Sequence, residues 1–111
     1  MYFVYVLLCT DDSLYCGVAA DWQRRLGEHA AGGSRCAAYT RAHPPRRLAA
    51  LWECNDKGHA LRLEYRFKQL RKEEKQRLIG NDDAFPELLP ALEREQYRRV
   101  TDAKWKNNRL S

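Results

Sequence analysis

Apolar positions arrive in blocks of different period along this chain. Tyr2 to Cys9, YFVYVLLC, and Leu14 to Val18 are β-branched and aromatic runs, and Thr10-Asp11-Asp12-Ser13 lies between them. That is the chemistry of a β-hairpin. Both runs are apolar at successive positions, so such a hairpin needs cover on both faces. Asp21 then stands where an N-cap belongs and Gly32-Gly33 where a helix stops, which predicts a helix from Trp22 to about Ala31. Leu48 to Cys54, LAALWEC, reads as a third strand, bounded by Pro44-Pro45 before it and Asn55-Asp56 after it. Asn55 or Asp56 caps a second helix running to about Arg71, with Ala60, Leu63, Phe67 and Leu70 as its stripe. A short helix, Lys72 to Ile79, ends at Gly80. Pro86 opens a further helix, Glu87 to Val100, whose Leu88, Leu89, Leu92, Tyr97 and Val100 can pack on the rest.

The pattern predicts an α/β (α+β) fold: a small three-stranded antiparallel sheet flanked by helices, with a helical C-terminal extension. Residues 1–80 form the main unit and residues 81–111 the extension with its basic tail, packed on the same domain. At 111 residues the chain is long enough for one modest core.

Two helices break their own pattern. About the first helical axis, Trp22, Leu26 and Ala30 make the apolar stripe, and Arg25 and His29 fall inside it, four residues apart on one ridge. On the second, Glu64 sits among Ala60, Leu63 and Phe67. An ionised carboxylate turned toward a core is costly unless paired or metal-bound, and a structural ion pair with Arg25 is the simplest partner. Taken alone, Arg25 snorkelling to the rim and His29 as a satisfied core histidine account for the first helix.

The hairpin supplies a geometric test. Side chains alternate across a sheet, so Tyr5 and Tyr15 share a face only with an odd-length turn or a bulge. A three-residue turn at Thr10-Asp11-Asp12 puts Gly17 opposite Tyr5 and leaves space beside the phenol.

Charge narrows the partners. With 20 Lys+Arg against 15 Asp+Glu, the net charge is +5 and the pI about 9.2, which favours a polyanion. The stretch 32–47 carries Arg35, Arg41, His43, Arg46 and Arg47 with no acid among them. Cys9, Cys16, Cys36 and Cys54 form no CxxC pair or spaced His/Cys ligand set, so they read as small reduced hydrophobes, which suits a cytoplasm. The apolar start is too short for a membrane span and lacks the basic n-region of a signal peptide, so it reads as a strand.

Phe3-Val4-Tyr5, then Tyr15-Cys16-Gly17, then Arg25-Leu26 with His29, and later Glu64 in LEYRFKQL, resemble the GIY-YIG endonuclease domain, closest to its small stand-alone bacterial members. FVY stands for GIY and YCG for YIG. The resemblance covers about Met1 to Leu78. It implies a nuclease using Tyr5, Tyr15, Arg25, His29 and Glu64. Glu64 would hold one Mg²⁺ or Mn²⁺. Arg25 would neutralise the scissile phosphate. Tyr5 would orient or deprotonate the attacking water with Tyr15 in support, and His29 is the rival base or relay. No nucleotide cofactor is implied.

Tyr39-Thr40-Arg41 is similar to a segment of the stand-alone members. Together with Gly17, Arg24, Arg35 and Lys68 it is expected at the nucleic acid, Tyr39 as a stacking platform. The tail residues Lys104, Trp105 and Lys106 are either a disordered end or an arm gripping the strand. With no separate duplex-reading module, and with Trp22, Tyr39, Trp52 and Trp105 near basic residues, single-stranded or branched DNA is favoured over plain duplex, with a monomer acting in repair or recombination. A nucleic-acid-binding module without catalysis, or a partner in a repair complex, is the alternative.

Overall fold

A computed structural model describes residues 1–110. Its elements are β1 (Tyr2–Cys9), β2 (Leu14–Ala19), α1 (Trp22–Ala31), α2 (Ala38–Ala42), β3 (Pro45–Cys54), α3 (Lys57–Gln69), α4 (Lys72–Gly80), α5 (Phe85–Leu88) and β4 (Tyr97–Arg99), with 3-10 turns at Asp82–Ala84 and Arg94–Gln96. Four antiparallel strands in the order β2-β1-β3-β4 form the sheet, where the sequence predicts three.

The hairpin closes through a three-residue turn. Cys9 N–H donates to Ser13 O at 2.9 Å, Asp12 N–H donates back to Cys9 O at 3.0 Å, and Asp12 takes a left-handed φ of +66°. That third turn position requires the αL conformation, which Asp tolerates better than most side chains. The odd turn sets the register, pairing Tyr5 with Gly17 and Leu7 with Tyr15.

Register then sorts β1 between two environments. Val4 and Val6 join Trp52, Leu63, Phe67 and Phe85 in the larger core beneath α3. Phe3, Tyr5 and Leu7 point the other way, into a smaller cluster with Leu26 of α1, Leu51 and Tyr15. Asp21 caps α1, accepting from Arg24 N–H at 3.2 Å, and Gly32 ends it at φ +69°. Asp56 caps α3, accepting from His59 N–H at 2.8 Å.

The extension differs from its expectation. The helix predicted over Glu87 to Val100 shrinks to the one turn of α5, closed by Leu89 N–H on Phe85 O at 2.8 Å. Pro90 has no N–H to continue it. The open edge of β3 meanwhile offers unpaired backbone groups, and Tyr97 and Val100 are good strand formers. They pair there, Trp52 opposite Arg99 and Cys54 opposite Tyr97. Asp82 fastens the extension, accepting from Trp52 Nε1 at 2.9 Å and pairing with Arg94 at 3.0 Å and Arg99 at 3.4 Å. The tail follows the same edge: Leu48 N–H donates to Trp105 O and Asn107 N–H to Arg46 O, both at 2.9 Å. Of the two open readings of the tail, a disordered end does not describe residues 104–107.

Candidate active site

β1 and β2 bring Tyr5 and Tyr15 to the α1 face, ring centroids 6.5 Å apart. Beneath Tyr5 lies Gly17, where a Cβ would stand 2.3 Å from the phenol oxygen. The space expected beside the phenol is filled by the phenol itself, and only glycine leaves it.

His29 meets Tyr5 from α1. Its Nε2 lies 2.7 Å from the Tyr5 hydroxyl and its Nδ1 lies 2.7 Å from Thr40 Oγ1. When Thr40 gives its proton to Ala37 O, 3.2 Å away, its oxygen accepts from His29 Nδ1–H. That leaves Nε2 unprotonated and makes Tyr5 the donor. Burial, then the nearby Arg25 charge, pushes His29 down to about 4, so the imidazole is neutral at pH 7. Burial, reinforced by Tyr15, pushes Tyr5 up against the opposing pull of Arg25. The pair therefore rests as neutral phenol and neutral imidazole.

Arg25 leaves the apolar stripe at the rim. Its Nη1 donates to Glu28 Oε1 at 3.0 Å and to the Arg35 carbonyl. Glu28 also lies 3.6 Å from Arg24 and 3.7 Å from Arg35. Chiefly through the Arg25 bond, its carboxyl is held below the ordinary range. One carboxylate thus gathers three of the expected phosphate-contacting arginines.

Glu64 comes from the opposite layer. It lies on the flank of α3 beside buried Leu63, 23 % exposed, and reaches the outer edge of β2. Its partner is Lys68 at 3.4 Å, not Arg25. Lys68 Nζ stands 5.8 Å from the centroid of the Tyr15 ring. Burial raises the Tyr15 pKa; the Lys68 charge opposes that rise and the Glu64 charge adds to it. No group of three or more His, Cys, Asp or Glu side chains able to hold a metal converges among the described residues. Mg²⁺ commonly binds through one or two carboxylates, with water and substrate phosphate completing the octahedron. A single half-buried carboxylate at the rim fits that mode.

Several site residues differ from their expected surroundings. Thr40, expected among phosphate contacts, is 1 % exposed and holds His29 from behind. Arg41 braces its own loop, donating to Gly33 O at 3.1 Å and Cys36 O at 3.3 Å. Tyr39, expected as a platform, stacks with Tyr15 at 5.6 Å and with His43 at 4.3 Å and is 37 % exposed. Trp52 is wholly buried in the α3 core. Lys104 and Lys106 are exposed, and Trp105 is half-buried against the α1-face cluster.

Sequence reasoning missed Glu28, His43 and Cys36, whose sulfur lies 3.0 Å from Thr40 Oγ1.

Residues 1–77 match the GIY-YIG catalytic domain. A UPF0213 protein of Klebsiella pneumoniae is 42% identical over 91 residues, covering 82% of this chain and 84% of the relative. The UPF0213 protein YhbQ of Escherichia coli O139:H28 is 37% identical over 92 residues, covering 83% and 90%. A solution NMR structure of the UPF0213 protein BH0048 from Bacillus halodurans is 41% identical, covers 72% of this chain and 84% of that one, and superposes with a TM-score of 0.47. With the triplets, arginine, histidine and glutamate all inside the matched span, the chain belongs to the GIY-YIG family, among the small bacterial single-domain proteins named UPF0213.

Proposed function

We propose that this protein is a divalent-metal-dependent endonuclease that hydrolyses phosphodiester bonds in single-stranded or branched DNA in the cytoplasm. The observation that carries the reading is the Tyr5–His29 hydrogen bond over Gly17. Membership of an endonuclease family supports it.

Arg25 at the rim receives the scissile phosphate and offsets the charge that develops on it. Tyr5 is no standing anion. It takes a proton from the attacking water as its own proton passes to His29 Nε2, 2.7 Å away. Thr40 holds the imidazole in the tautomer that can accept. A phosphate beside Arg25 compensates the charge that depresses His29, so substrate raises the basicity of the acceptor when it is needed. Mg²⁺ or Mn²⁺ held by Glu64 would supply Lewis-acid polarisation of the phosphate and its leaving oxygen. Tyr5 is 1 % exposed in the free protein, so substrate has to displace some of the side chains that cover it.

The test is cleavage of labelled single-stranded, duplex and branched DNA with Mg²⁺ or Mn²⁺, running the parent beside Arg25→Ala and Glu64→Ala. Each substitution is expected to slow cutting by about 100-fold or more, the scale of losing one transition-state contact, with the melting transition retained. No cutting by the parent on any substrate, with salt-sensitive binding retained, would replace this reading with a binding module.

A further inference from the structure

Three recesses adjoin one another away from the Tyr5–His29 pair. The first, of about 230 Å³, opens beside the Tyr15–Tyr39 stack and is lined by Ser13, Leu14, Tyr39, Lys72 and Lys75. The second, of about 490 Å³, shares Leu14 and Lys72 with it and extends past Leu8 and Ala49 to Arg47. The third, of about 470 Å³, shares Arg47 and ends in the tail between Lys104, Trp105 and Lys106. Shared residues set them in series from the rim of the nuclease site, past the end of the hairpin, to the C-terminal tail, the second against the α3 face of the sheet and the third against the α1 face, so that a strand following the path turns around the sheet at Arg47.

The path is cationic at intervals and apolar between. Lys72, Lys75, Arg47, Lys104 and Lys106 line it, and none forms an ion pair among the described residues. Asp12 is the acid on the wall, and Arg46 lies 3.5 Å from it. Leu8, Leu14, Ala49 and Leu48 form apolar stretches between the cations, and Trp105 offers an aromatic ring at the far end. Spaced cations with an apolar floor and a terminal aromatic suit a strand whose bases are free to turn into the recesses. A duplex keeps its bases stacked inside and cannot turn them into these recesses.

We propose that this path is a second binding site, which holds single-stranded DNA flanking the cleavage position: phosphates on Lys72, Lys75, Arg47, Lys104 and Lys106, and a base on Trp105. The assignment of the strand as flanking substrate rests on the nuclease reading; the binding itself does not. The β-bridge between Arg47 and Lys106 and the bond of Asn107 Nδ2 to Pro45 O at 2.7 Å hold the tail in place to do this.

The test is equilibrium binding in EDTA, where no metal-dependent cutting intervenes, with fluorescent oligothymidines of about 4 and about 15 nucleotides, lengths that bracket known single-strand site sizes. Parent protein is compared with Lys72→Ala/Lys75→Ala, Lys104→Ala/Lys106→Ala and Trp105→Phe. The longer strand is expected to bind more tightly to the parent. Each lysine pair should cost it about 10-fold, with the log–log salt slope smaller by about 0.7 per lost phosphate contact. Trp105→Phe keeps the packing and should remove the oligonucleotide-induced quenching of tryptophan fluorescence. Those results sustain the path even if the parent cuts no DNA. Unchanged affinity and salt slope in both lysine variants overturn it even if the parent is an active nuclease. So does a parent with no affinity for the longer strand, or one that binds duplex of equal length as tightly with the same dependence on these lysines.

Discussion

The two faces of β1 are built from adjacent residues and do opposite things. On the α3 face, Val4 and Val6 enter a core in which Trp52, Phe67 and Phe85 are fully buried and polar atoms are confined to its margin. On the α1 face, Tyr5 enters a cluster equally closed to solvent but threaded by hydrogen bonds through His29 to Thr40. Burial is the same on both sides; chemistry is not. In the first, close packing alone stabilises. In the second, burial also detunes the titratable groups, raising Tyr5 and lowering His29, and each polar atom has a specific partner to lose. The fold keeps its apolar packing on one side of the sheet and the Tyr5–His29 pair on the other.

That division has measurable consequences. Phe67→Ala, on the packed face, should cost about 3–5 kcal/mol in chemical denaturation, the usual range for a buried aromatic. Tyr5→Phe removes one hydrogen bond at nearly constant volume and should cost only about 1 kcal/mol, while slowing cleavage by about 100-fold or more. If Tyr5→Phe unfolded the protein as badly as Phe67→Ala, the two faces would not differ in kind.

Next in size is the response to acid. The folded pKa of His29 is depressed to about 4 from an ordinary 6.5, so the unfolded chain binds a proton that the folded one refuses. Stability should therefore fall as pH drops from about 6.5 to about 4 and level off below. At about 1.4 kcal/mol per unit, the loss approaches roughly 3–4 kcal/mol. Urea titrations across this window on the parent and on His29→Gln should show a slope in the first and a flatter profile in the second.

Gly17→Ala probes the seam between backbone and phenol. The new methyl would stand 2.3 Å from Tyr5 Oη and 2.5 Å from its Cζ, and the ring is enclosed, so it cannot swing aside freely. A destabilisation of about 1–3 kcal/mol is expected, with cleavage reduced as the Tyr5 hydroxyl leaves His29. A variant that melts and cuts like the parent would show that the ring does not rest over Gly17.

Much of this was legible in residue order because its causes are local. The hairpin turn, the caps at Asp21 and Asp56 and the left-handed stop at Gly32 each follow from a few neighbouring residues. Parity carried the argument further: an odd turn was enough to set Tyr5 and Tyr15 on one face and Gly17 opposite Tyr5. Arg25, His29 and Glu64 announced themselves as polar residues inside apolar stripes. Thr40 did not, because a threonine in a basic loop looks solvated until a short helix turns it inward. Glu28 stands outside the apolar stripe of its helix, and its role depends on arginines from both α1 and the loop beyond.

The sequence by itself determined which elements form over residues 2–31 and 48–80, and which polar residues stand among apolar ones, since periodicity, capping and turn chemistry act within a few residues. Only the tertiary structure decided that residues 97–107 run along the open edge of β3 and not in a helix, because that choice turns on unpaired backbone groups some fifty residues upstream. It alone decided that Thr40 stands behind His29. Such partners meet across the sheet or a loop, where the energy of a contact depends on geometry that no local pattern encodes.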